Sequence, residues 1–166
     1  MILLLSVGIF LAWVALVAIA DFRYRRIPNS LVVAGLICAL VSASTGHNPF
    51  GNPLLGAIIG AMVAFVGLFP FFAFRMMGAA DVKVFVVLGA WCGVIQLFWC
   101  WVFASLVAGI HALGIMYLTG ASVRSLWQRN GAAFALGGFR GAPYAAFLVI
   151  PAAAWLVFQI VTGNLR

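Results

Sequence analysis

Acid is what this chain has least of. Its 166 residues carry two carboxylate side chains, Asp21 and Asp81, against nine lysines and arginines. Charged residues of both signs make up 7% of the sequence and hydrophobic residues 67%. A soluble globular domain is about 45–50% apolar, so the composition points instead to an all-α integral membrane protein. The apolar stretches are continuous rather than alternating, which argues against a transmembrane β-barrel. Cysteine is also scarce. Cys38, Cys92 and Cys100 lie inside apolar runs, and no C-x-x-C pair occurs. They read as small packing residues, and a zinc site lacks its paired ligand spacing, so neither metal nor cofactor is expected. The net charge is +7, but the basic residues are thinly spread. They read as topology determinants and contacts to anionic lipid headgroups, not as a nucleic-acid surface.

What is present is a series of long apolar runs. A membrane-spanning helix takes about 20 such residues, and the chain has room for about six in a single transmembrane domain over 1–166. The first runs from Ile2 to Ala20 and the second from about Ile27 to Thr45, with Pro28 suited to its first turn. A turn-rich stretch, Gly46 to Pro53, separates it from the third, Leu54 to Phe74. The fourth begins near Asp81 and runs to about Ile95, and the fifth covers Leu97 to Leu118. Only Gly93 and Gln96 mark the turn between them. After a looser segment, Thr119 to Gly141, the sixth runs from Ala142 to Val161. Within the looser segment Val123, Leu126 and Trp127 share a helical spacing with Arg124 and Arg129 interleaved, the pattern of an interfacial helix.

Charge placement supports six segments. Arg23, Arg25 and Arg26 fall in the first loop, Arg75 and Lys83 flank the third, and Arg124, Arg129 and Arg140 fall in the fifth. With six spans these loops share one side, which the positive-inside rule makes cytoplasmic, with both termini outside. Ala18-Ile19-Ala20 resembles a signal-peptidase site. However, no basic residue precedes the first run and three arginines follow it, the reverse of a secretory signal.

The same topology carries Asp21, at the end of the first segment, and Asp81, at the start of the fourth, to one membrane face. Ionisable groups bordering a membrane segment are functional candidates by default. Two carboxylates a few ångströms apart share a proton, so one can act as base towards water while the other acts as acid towards a carbonyl oxygen. The helix macrodipole favours Asp81 as the starting base and Asp21 as the acid, although a pair that titrates as a unit leaves the two roles open. Each also has a plain structural reading. Asp21 can pair with Arg25, and Asp81 can cap a helix or pair with Lys83.

The residues around the aspartates carry a resemblance. Asp21-Phe22-Arg23-Tyr24-Arg25-Arg26-Ile27-Pro28-Asn29 resembles the first motif of the type IV prepilin peptidases, and Gly78-Ala79-Ala80-Asp81-Val82-Lys83 resembles their second, Gly-x-Gly-Asp-x-Lys. Ala142-Pro143-Tyr144-Ala145-Ala146-Phe147 is similar to their C-terminal element. The resemblance implies an inner-membrane aspartic endopeptidase with Asp21 and Asp81 as its catalytic pair. Its substrates would be prepilins or pseudopilins, cut after a glycine at the cytoplasmic face to remove a short basic leader. Two departures stand out. Ala80 replaces the motif's second glycine. The paired C-x-x-C motifs of the larger, bifunctional members are missing, so the chain resembles the short, peptidase-only type that serves tight-adherence (Flp) pili, without N-methylation and without zinc.

Other residues carry weaker signals. Lys83, the only lysine, reads as snorkelling from its helix end. Asn29 either caps the second segment or orients Asp21 or the scissile peptide. His47 reads as a solvated loop residue, and His111 as a buried neutral histidine bonded to a backbone carbonyl. Ser6, Ser42 and Ser105 lack a neighbouring base that would make a nucleophile. Two other functions compete with the peptidase. A small proton-coupled transporter would use the aspartates as titratable gates, although transport sites usually lie near the midplane. A non-catalytic assembly subunit would tolerate alanine at either aspartate.

Overall fold

A computed structural model describes residues 2–24, 26–74, 77–119 and 144–163. Within them every regular element is a helix: α1 (Ile2–Tyr24), α2 (Asn29–Ser44), α3 (Leu54–Ala73), α4 (Ala79–Thr119) and α5 (Tyr144–Val161). Four stretches are long and apolar enough to cross a membrane, namely Ile2–Tyr24, Leu54–Ala73, Ala79–His111 and Tyr144–Val161. Asn29–Ser44 is apolar but shorter. Helices suit this composition because each satisfies its own backbone hydrogen bonds, which lipid cannot do. Prolines mark two starts. Pro28 precedes α2 and its carbonyl accepts the Leu31 N–H at 3.1 Å, while the Pro53 carbonyl accepts the Ala57 N–H at 2.9 Å at the head of α3. Large apolar side chains such as Leu4, Leu55, Ile95 and Ile110 point outward, as expected of a helical membrane protein surrounded by lipid.

The longest helix is not straight. Gly93 has φ 77° and ψ 178°, a conformation that glycine adopts almost alone. On an unbroken helix Phe85 and Ser105 would stand about 30 Å apart. The side chain of Tyr144 touches both: its ring stacks on Phe85 with centroids 6.4 Å apart, and its hydroxyl is 3.2 Å from that of Ser105. The helix therefore folds back sharply at Gly93, leaving arms 79–92 and 94–119. These arms correspond to the fourth and fifth segments expected from the sequence, with the break at Gly93 rather than Gln96. Breaking a helix strands carbonyls. Asn52 answers one of them, donating from Nδ2 to the Ala90 carbonyl at 3.2 Å. Its Oδ1 lies 3.2 Å from where a Cβ on Gly93 would stand.

The bundle is packed through small residues. A Cβ on Gly60 of α3 would collide with the Gly89 carbonyl of α4, and one on Gly89 with the Gly60 carbonyl. Two backbones thus meet directly, as small residues allow in membrane helices. Trp13 of α1 lies over Gly35 of α2 and donates its indole N–H to the Leu31 carbonyl at 3.0 Å. Phe10 packs edge-on between Phe50 and Trp91, with centroids 5.1 and 5.3 Å away. The turn-rich Gly46 to Pro53 stretch is partly folded into this end of the bundle, with Asn48 and Pro49 buried, and His47, expected to be solvated, is half-buried on the Thr45 carbonyl. The interfacial helix expected around Val123, Leu126 and Trp127 lies outside the described residues, as do Arg25, Arg75, Arg124, Arg129 and Arg140.

Candidate active site

Asp21 occupies the last turn of α1 and is only 7% exposed. It points inward, and its Oδ2 accepts the backbone N–H of Ala146 at 2.9 Å. Ala146 is in the first turn of α5, where N–H groups have no acceptor within the helix. A buried carboxylate and a helix start thus satisfy each other. The alternative pairing of Asp21 with Arg25 involves a residue outside those described.

Asp81 is the third residue of α4 and half-buried. Its N–H donates to the Gly78 carbonyl at 3.1 Å. Its carboxylate in turn accepts a backbone hydrogen bond from Gly78, the reach-back that an acidic residue in the first turn commonly makes. This reach-back is made from inside the first turn, three residues past Gly78, and so differs from the N-cap role considered for Asp81. It coexists with a second relation: the Asp21 and Asp81 carboxylates are close enough for their charges to act on each other. Two acids far apart in the chain thus lie at one end of the bundle, both beside the start of α5. The macrodipole argument for separate roles weakens, because Asp21 also lies against a helix N-terminus, that of α5. Ala80 lies in the helical first turn of α4, so the position makes no demand for glycine's freedom.

The two motifs are also tied at the surface. Lys83 Nζ donates to Asn29 Oδ1 at 2.7 Å, linking the start of α4 to the start of α2. Lys83 is thus bonded rather than simply snorkelling, and the oxygen of Asn29 serves Lys83 rather than the end of α2. Beside Asn29 an open groove of about 960 Å³ runs between α1 and α2, polar at Arg26 and Ser30 and apolar at Leu16, Ile19 and Leu31. His111 is exposed, its ring edge against Phe147 at 5.9 Å between centroids. The burial expected for it from the middle of an apolar run does not occur, because this part of α4 has no helix packed over its outer face among the described residues.

Against this geometry, the type IV leader peptidase family matches residues 8–113, a stretch that contains both aspartates. The chain belongs to this family. The prepilin leader peptidase/N-methyltransferase of Xanthomonas campestris pv. campestris is 29% identical over 157 residues, covering 88% of this chain and 48% of that protein. The chain thus spans about half the length of that curated relative. No solved structure matches it. The family resemblance read from the two aspartate motifs therefore holds.

Sequence reasoning found the two acids but not their surroundings. The Ala146 N–H is a backbone donor, which no side-chain pattern reveals. Tyr144 stood in the C-terminal element, and it lies beyond the residues that the family matches. Asn29 and Lys83 were each noticed but not paired, since 54 positions separate them.

Proposed function

We propose that this family member is an aspartic endopeptidase that removes the short basic leader of prepilins or pseudopilins at the cytoplasmic face of the bacterial inner membrane. What supports this reading is that Asp21 and Asp81, the only acidic side chains in the chain, both lie beside the start of α5, Asp21 on the Ala146 N–H and Asp81 one turn before the Phe85 on which Tyr144 stacks. The chemistry follows from two acids that hold one proton between them. The ionised carboxylate takes a proton from water as the water oxygen adds to the scissile carbonyl carbon. The protonated one donates to the carbonyl oxygen, and a proton then passes to the leaving amine as the C–N bond breaks. The pair titrates as a unit, so activity should follow a bell-shaped pH profile that belongs to both residues together.

With the six spans expected from the sequence, this site would face the side of the arginine-rich loops, which the positive-inside rule makes cytoplasmic. Those arginines also suit contact with anionic lipid. The site's position at the bundle end suits a substrate whose scissile bond lies beside its own membrane helix, and the open groove along α1 and α2 offers that helix an apolar bed. Without paired C-x-x-C motifs the reaction stops at cleavage, leaving the new N-terminus unmethylated, as befits a peptidase of Flp-type pilins.

Co-expression with a Flp-type prepilin, in a host lacking other prepilin peptidases, tests this. Mass spectrometry should show loss of the leader and a free, unmethylated N-terminus on the product. An intact leader on several prepilins, with the protein folded in the membrane, would shift the reading to a transporter or assembly subunit. A methylated product would refute the peptidase-only assignment.

A further inference from the structure

Tyr144 has a geometry that hydrolysis by two aspartates does not require. It opens α5, two residues before the Ala146 N–H that holds Asp21. Its ring stacks on Phe85, one helical turn beyond Asp81. Its hydroxyl is 3.2 Å from the Ser105 hydroxyl on the other arm of α4. Asp81 and Ser105 are equally distant in sequence from the fold at Gly93, so the return of the chain brings Ser105 back to the depth of Asp81. The phenol is therefore held at the level of the dyad by contacts at both ends. Ser105 is exposed and Tyr144 half-buried among the described residues. Trp101 approaches the Tyr144 hydroxyl, and the Asp81 charge acts on it.

A tyrosine hydroxyl has one proton to donate and lone pairs with which to accept. An indole N–H can only donate, and a serine hydroxyl can do either. Either hydroxyl of the Ser105–Tyr144 pair can donate, and when Ser105 donates the phenol proton is free for another acceptor. Hydrolysis of a peptide bond develops negative charge on the carbonyl oxygen as the water oxygen bonds to carbon, and a fixed neutral donor aimed at that oxygen lowers the barrier.

We propose that Tyr144, held by Ser105 and Phe85, is a catalytic residue that donates a hydrogen bond to the carbonyl oxygen of the scissile peptide in the transition state. This rests on the peptidase reading. No covalent bond to Tyr144 forms or breaks. The water proton goes to the aspartate base, the leaving amine receives its proton from the dyad, and Tyr144 keeps its own. Ser105 is a positioning residue that acts through Tyr144.

The test is steady-state cleavage of a purified Flp-type prepilin by the full-length protein in lipid vesicles. Tyr144→Phe keeps the ring stack and removes only the hydroxyl. Its kcat should fall about 100-fold, with KM and thermal stability unchanged. Ser105→Ala should lose about fivefold in kcat, and nothing further when combined with Tyr144→Phe. Wild-type cleavage with an undiminished kcat in Tyr144→Phe would overturn the role of Tyr144 alone. So would a fall in kcat accompanied by a raised KM and lost stability, which would mark the hydroxyl as structural. No cleavage by the wild type would overturn the peptidase reading and this proposal together.

Discussion

At the end of the bundle where α4 turns back, helices meet through backbone and small residues. Gly60 and Gly89 bring α3 and α4 into direct contact, Asn52 closes the break beside Gly93, and Asn48 and Pro49 are buried in the connection from α2 to α3. At the opposite end they meet through polar groups: Asp21 on Ala146, Lys83 on Asn29, Tyr144 on Ser105. Both ends bring distant parts of the chain together, but they differ in what a substitution removes. Backbone contacts leave no room for a side chain, so the turn end is vulnerable to added volume. Polar contacts at the dyad end can be deleted with little change of volume, so the dyad end is vulnerable to lost chemistry. Under the proposed function, one end supplies a rigid frame and the other presents the reactive groups.

Substitutions that separate chemistry from volume should break the comparison most clearly. Asp21→Asn and Asp81→Asn should each lower the rate of leader removal about a thousandfold while thermal unfolding in detergent stays close to the wild type. Gly89→Val should do the reverse. Its added carbons meet the Gly60 carbonyl, a backbone atom that cannot rotate away, so stability should fall by about 3 kcal/mol, with less folded protein recovered by size-exclusion chromatography. Activity per folded molecule should survive. Asn52→Ala leaves the Ala90 carbonyl without its donor and should cost about 1–2 kcal/mol in unfolding, with kcat unchanged. The smallest effect belongs to Lys83→Met, which removes an exposed hydrogen bond and should slow cleavage by about threefold. An equal loss in Asn29→Ala, with no further loss in the double variant, would sharpen the view that the two act as one link.

Much of this was legible in the sequence because membrane composition is simple. Continuous apolar runs gave the helices, and Gly93 stood out as one of two residues able to separate the fourth and fifth segments. Asp21 and Asp81 were conspicuous because no other acid occurs. The remainder depended on quantities that a sequence does not carry. Gly60 and Gly89 are ordinary members of apolar runs until two helices cross there. Ala146 contributes through its N–H, a group every non-proline residue has. His111 was expected to be buried because its neighbours are apolar, yet in lipid an apolar neighbourhood says little about which face is covered. The Gly46 to Pro53 stretch has the composition of a turn, but Asn48 and Pro49 are buried, Phe50 packs on Phe10 and Asn52 reaches the break at Gly93.

The central claim is that two carboxylates brought together by the fold form one hydrolytic site. Its most direct test compares leader removal from a Flp-type prepilin by the wild type, Asp21→Asn and Asp81→Asn, each reconstituted in lipid vesicles and matched for folded protein. Cleavage by the wild type and by neither variant is the expected result. Wild-type rates in either variant would contradict the shared site, whatever the family to which the chain belongs.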